Sequence, residues 1–174
     1  ATDNGAQAEL RVGSTVFRLG SGTDVDMQQL DDERIVVGMA GGSLAMRVRS
    51  PEKVREVEVV TQEGRFVPNA VGHYRIDRAD NRLDGTSWIG SMRFEGSRTV
   101  EIPAGRRVAL VGDSGGSQWS DVERDAFSDW VARDDSNDDT RTASRYVSPE
   151  MTGAEDLDRY GDWDSAPEYG PIWY

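Results

Sequence analysis

The chain has 174 residues and 19.2 kDa, the size of one ordinary domain or of a domain with a tail. It holds no cysteine and a single histidine, His73, which excludes disulfides, thiolate metal sites, thiol nucleophiles and multi-histidine metal sites, and no stretch approaches the ~20 apolar residues of a membrane helix. The net charge is −12, with 5 basic and 16 acidic residues after Leu110, the wrong sign for a nucleic-acid partner.

From Leu10 to Val111 the sequence reads as short alternating runs separated by turn residues. Residues 14–19 alternate and stop at Gly20-Ser-Gly22, a turn that lacks the third glycine of a dinucleotide loop. Residues 23–30 place Val25 and Met27 on one face, and residues 34–39 end at Gly41-Gly42. Residues 43–49 turn Leu44, Met46 and Val48 inward, and 54–60 do the same with Val57 and Val59. Residues 71–76, 88–94, 99–102 and 107–111 complete the set. Period-two runs spaced by ~8–12 residues, with glycines at most junctions, predict an all-β body over 10–111: a sandwich, barrel or solenoid.

The period then changes. Trp119, Glu123, Phe127, Trp130 and Val131 fall at helical spacing, predicting one amphipathic helix over 118–134, with Ser120 as its N-cap, packed on the β-body. Residues 135–144, entered through Asp134–Asp139, read as a solvated acidic linker. Over 145–174, Tyr146, Tyr160, Trp163, Tyr169, Trp173 and Tyr174 recur among Pro149, Pro167 and Pro171. This predicts an extended aromatic arm with a short helical turn at 153–159. Nine of the 14 aromatic residues lie after residue 118, too much apolar surface for a free tail, so the arm is expected to dock on its own body or on a second copy.

Catalytic motifs are weak. Gly112-Asp-Ser-Gly-Gly116 matches the string around a serine-protease nucleophile, with His73 as the base and Asp77, Asp80 or Asp84 as orienting carboxylates. His73 sits in an alternating strand too close in sequence to Ser114 for a two-barrel protease, so the motif reads as a Gly/Ser/Asp turn. The Asp134–Asp139 run fails the EF-hand pattern, because the sixth position is Asp139 rather than glycine and the twelfth is Arg145 rather than glutamate. Glu155/Asp156 and Asp162/Asp164 are carboxylate pairs of the kind a glycosidase uses, but 32 acids produce such pairs by chance. No cofactor, metal or catalytic residue is expected.

Three sets of residues carry a family resemblance. Leu10-Arg-Val-Gly-Ser-x-Val-x-x-Leu19, Thr23-x-Val-x-Met27 and Gly42-Ser-Leu-Ala-Met-Arg-Val48 resemble the FecR-type periplasmic domain. So do Val57-x-Val-Val-Thr-x-x-Gly64, Gly72-x-Tyr-Arg-Ile76 and Ile102-Pro-Ala-Gly-Arg-Arg-Val-Ala-Leu110. Phe127-x-x-Trp130 and the run from Arg145 to Trp163 are similar to the segment that follows such a domain in the DUF6600 family of exported bacterial proteins. The resemblance implies a curled sandwich or solenoid-like FecR-type sheet, an extracytoplasmic address and a protein-contact role. The start at Ala1, with no initiator Met and no leader, agrees with an exported protein whose signal peptide has been removed, and equally with a fragment. The expected function is therefore a non-enzymatic interaction or scaffold domain. It would contact a protein, or copies of itself, through the six arm aromatics. A module stacking neutral glycans on Trp163, Tyr169 and Trp173 is the first alternative, and a periplasmic FecR-type signal sensor the second.

Overall fold

The computed structural model describes residues 1–111, 116–141, 143–148, 150–151 and 153–174. They form two compact units, Ala1–Leu10 with Thr15–Glu123, and Arg11–Ser14 with Arg124–Tyr174.

The first unit is built of strands: β1 (Ala8–Val12, its last two residues counting with the second unit), β2 (Thr15–Leu19), β3 (Asp24–Leu30), β4 (Ile35–Val48), β5 (Val57–Thr61), β6 (Gly64–Pro68), β7 (Gly72–Ala79), β8 (Arg82–Ile89), β9 (Met92–Gly96), β10 (Thr99–Ile102), β11 (Arg106–Val111) and β12 (Gly116–Asp121). They pair in the order β10-β9-β6-β5-β4-β7-β8-β11-β12, with β3 beside β4 and β2, then β1, on its other half. From β2 onward the pairings are antiparallel except that of β4 with β5, which are joined through a 3₁₀ turn at Lys53–Arg55.

The long strand β4 explains the architecture. Its first half pairs with β3 and β5, and its second half with β2 and β7. The sequence pattern predicts a stop at Gly41-Gly42, yet the strand runs through it. Gly42 takes φ +96, and a Cβ there would lie 2.4 Å from the Thr23 Cα. Only glycine permits both the conformation and the approach, so the backbone bends from one layer into the other without ending. The sheet is thereby doubled on itself into an all-β curled sandwich, as the alternation predicts.

Between the layers, Phe66 of β6 and Phe94 of β9 meet at 5.0 Å between ring centroids. Opposite them β8 has Gly85, where a Cβ would come within 2.7 Å of Phe66 and Ile102. Leu44, Met46, Tyr74, Ile76, Leu83 and Val108 complete a dry core with Val57, Val59 and Met92. Residues 88–94, read as one run in the sequence, are the end of β8 and the start of β9, turned at Gly90 with φ +77.

The second unit corrects three expectations. The helix is α1 (Ala126–Thr140), not 118–134; residues 118–121 belong to β12, where Ser120 opposes Arg107. The N-cap is Asp125, whose carboxylate accepts from the Ser128 amide at 2.8 Å while the Ser128 hydroxyl accepts from the Asp125 amide at 2.8 Å. The acidic run is helix rather than a solvated linker, with Asp135 and Asp138 buried on the same stripe as Ser128 and Val131. Arg11 donates to Asp138 at 2.6 Å, and Arg141 lies 3.5 Å from it.

Candidate functional site

The C-terminal residues fold into a small element of their own within the second unit: helix α2 (Ala154–Tyr160) followed by a hairpin of β13 (Trp163–Ala166) and β14 (Gly170–Trp173). α2 lies where a short helical turn is expected, and the chain is hairpin-shaped over much of the stretch expected to be extended. Pro167-Glu168-Tyr169 makes the turn and Gly170, at φ +77, re-enters the strand. Below β13 and β14 the hairpin is closed by a reciprocal pair, the Asp162 amide to the Tyr174 carbonyl at 3.0 Å and the Tyr174 amide to the Asp162 carbonyl at 3.1 Å.

Trp163 faces Trp173 across the hairpin, and Asp164 faces Ile172. Because a strand alternates, the two faces differ in chemistry. One carries Trp163, Ser165, Pro171 and Trp173. On it Trp163 packs on Tyr146 at 4.7 Å between ring centroids, and the Trp173 indole donates at 3.0 Å to the Leu157 carbonyl, which also accepts from the Gly161 amide at the end of α2. Gly161 makes room for this: a Cβ there would come within 2.6 Å of the Trp173 ring. The other face carries Asp162, Asp164, Ile172 and Tyr174, all exposed.

The six aromatics singled out in the sequence therefore divide. Tyr146, Trp163 and Trp173 come together and hold the element in shape. Tyr160, Tyr169 and Tyr174 remain 70%, 80% and 68% exposed, Tyr160 with the Arg159 guanidinium 5.6 Å from its ring. The sequence pattern did not single out Ile172, and it offered Asp162 and Asp164 only as a catalytic pair. The available signal was the Pro167-Glu-Tyr turn followed by Gly170 between two short runs rich in aromatics. From Gly161 to Tyr174 there are three carboxylates and no basic residue.

Ser114 lies outside the described residues. His73 is the second residue of β7, opposite Arg47 and Ile89. Asp77 accepts from Arg75 and Ser43, and Asp84 from Arg82 and Arg107 at 2.8 Å each, so both carboxylates are engaged with neighbouring strands. Asp80 is in the β7–β8 turn with φ +46. Among the described residues no group of three or more His, Cys, Asp or Glu side chains could hold a metal ion. A cleft of about 580 Å³ in the first unit is rimmed by Gln62, Glu63, Arg78 and Arg98 above Leu83 and Phe94. Arg78 donates to Glu63, Gln62 and the Ala40 carbonyl, so the fork an anionic ligand requires is already engaged.

No protein-family model matches the sequence, and no curated protein is similar to it. Two crystal structures of a candidate anti-sigma factor from Parabacteroides distasonis, at 1.65 and 2.50 Å, are similar in fold, with TM-scores of 0.62 and 0.61 at 12% and 13% identity. The fold is shared with that protein. The matches cover 75% of this chain, which spans 63% and 62% of those chains.

Proposed function

We propose that this chain is a non-enzymatic, extracytoplasmic protein-interaction domain: a FecR-type β-sandwich followed by a DUF6600-like segment whose hairpin makes the contact. The observation that carries the reading is the division of labour among the arm aromatics. Tyr146, Trp163 and Trp173 make contacts within the element, Tyr146 and Trp173 keeping 46% and 42% of their surface exposed, while Tyr160, Tyr169 and Tyr174 are 70%, 80% and 68% exposed. Rigid, exposed tyrosines bury large area at small entropic cost, the composition of an interface hot spot. The fold shared with a candidate anti-sigma factor supports a second, narrower form, a periplasmic sensor of a partner's signal. Self-assembly is the homotypic form, in which the hairpin of one copy meets a neighbour.

Site-specific photo-crosslinking tests this. A benzoylphenylalanine at Tyr169 of the full chain, activated in the producing cell, is expected to yield a protein adduct that the same probe at Asp26 of β3 does not. An adduct with a second copy identifies self-assembly, and one with a different chain identifies a heterologous partner. Glycan adducts alone, or none at Tyr160, Tyr169 or Tyr174, would remove the reading.

A further inference from the structure

We infer that Asn4–Gly5 is a site of spontaneous backbone modification, at which the asparagine carboxamide closes to a cyclic imide, and that the Ser21 hydroxyl holds this reaction in check. The reaction needs a backbone nitrogen that can reach the side-chain carbonyl carbon. The chain has four asparagines, and Asn4 alone is followed by glycine. Asn69, Asn81 and Asn137 are followed by Ala70, Arg82 and Asp138, whose Cβ crowds the attacking nitrogen. Asn69 is further held through its carboxamide, which donates to Glu101 at 2.6 Å and accepts from Arg93 at 3.2 Å, and Asn137 lies within α1. Asn4 is exposed, and among the described residues its carboxamide makes no hydrogen bond. A Cβ on Gly5 would meet nothing within 4 Å.

The local backbone supplies the brake. Residues 3–6 form a turn in which the Ala6 amide donates to the Asp3 carbonyl at 3.0 Å, with Gly5 at φ +78 and Asn4 at negative φ, the type II arrangement. Ring closure requires the peptide plane between Asn4 and Gly5 to rotate until the Gly5 nitrogen faces the Asn4 Cγ. The Gly5 amide donates to the Ser21 Oγ at 2.7 Å, which fixes that plane. The same segment is tied to the β2–β3 turn by the Thr2 hydroxyl, which donates to the Gly20 carbonyl at 2.6 Å and accepts from the Thr23 amide at 2.9 Å. Reaction therefore proceeds from the locally opened turn. There the Gly5 nitrogen gives its proton to water or hydroxide and attacks Cγ. The bond from Cγ to the side-chain nitrogen breaks, and that nitrogen leaves as ammonia with a proton from solvent. Water then opens the imide at either carbonyl, so that water is taken up, ammonia is released and a carboxylate remains in an aspartyl or an isoaspartyl linkage. The isoaspartyl form lengthens the main chain inside the turn that faces Gly20-Ser-Gly22.

The test holds the full chain in mildly alkaline buffer and follows amide loss at each asparagine by peptide mapping that separates aspartyl from isoaspartyl products. Asn4 is expected to lose its amide ahead of Asn69, Asn81 and Asn137 and to give both linkages, which direct hydrolysis of the carboxamide would not. Ser21→Ala should speed the loss at Asn4 by about twofold to tenfold, the worth of one hydrogen bond, and leave the other three asparagines within about twofold. In concentrated urea the natural chain and Ser21→Ala should react at one rate, because the brake belongs to the folded turn. Loss at Asn4 no faster than at Asn81, or an aspartyl product alone, would overturn the site. A folded Ser21→Ala chain that reacts at the natural rate, or one that reacts faster at all four asparagines alike, would overturn the role of Ser21.

Discussion

Tyr74 illustrates how single residues in this sandwich are held by the absence of their neighbours' side chains. Gly72 and Gly90 flank its hydroxyl so closely that a Cβ on either would come within 2.7 and 2.5 Å of the oxygen. The hydroxyl donates to the Ala70 carbonyl at 2.6 Å. Burial pushes the phenol from its ordinary 10.0 up to about 12, and the backbone hydrogen bonds at Ala70 and Ser91 offset only part of this. A raised value means that the folded state keeps the proton where the unfolded chain has lost it. Tyr74 therefore contributes its full stability below pH 10 and loses it as pH rises towards 12. Urea midpoints of the natural chain and of Tyr74→Phe should converge as pH rises above 10 and cross before it reaches 12. At neutral pH the variant should be less stable by about 1 kcal/mol, the worth of the lost hydrogen bond. A difference independent of pH would show that the phenol ionises without cost.

At the scale of elements, α1 is the instructive case. Its last turns hold Asp134, Asp135, Asp138 and Asp139, charges that oppose the partial negative charge of a helix C-terminus. Arg11, distant in sequence, bonds the buried Asp138 and offsets part of that cost. Arg11→Ala should lower the stability of the second unit by on the order of 2 kcal/mol, read as an earlier loss of helical circular dichroism. Arg133→Ala, which removes an exposed arginine 3.8 Å from Asp134, should change it by less than about 0.5 kcal/mol.

The same elements show what was legible in the sequence. Period-two alternation located most of the sandwich because one face of each strand is buried, and that pattern is written locally. The end of α1 was not legible, since its partner lies far upstream and an unpaired acidic run reads as solvated. Its start was misread because the Trp119–Glu123–Phe127 spacing fits a helix as well as it fits β12 followed by a cap at Asp125. At the hairpin, the aromatics were visible as composition. Which of them point outward depends on the Trp163–Trp173 register, and that follows from the turn.

For the whole molecule, charge governs association. Copies carrying −12 repel over a Debye length of ~30 Å at 0.01 M salt and only ~3 Å at 1 M. Light scattering is expected to give the monomer mass of 19.2 kDa at low salt, with any self-association growing as salt is added. A low-salt dimer that salt dissolves would mean that copies meet through complementary charges, contrary to the hairpin's composition. Beneath these surface effects lies β4, whose 14 residues serve both layers through Gly42. A load applied to either sheet passes to the other along unbroken covalent backbone, without relying on side chains sliding over one another. The two layers are consequently tied at β4 by covalent backbone.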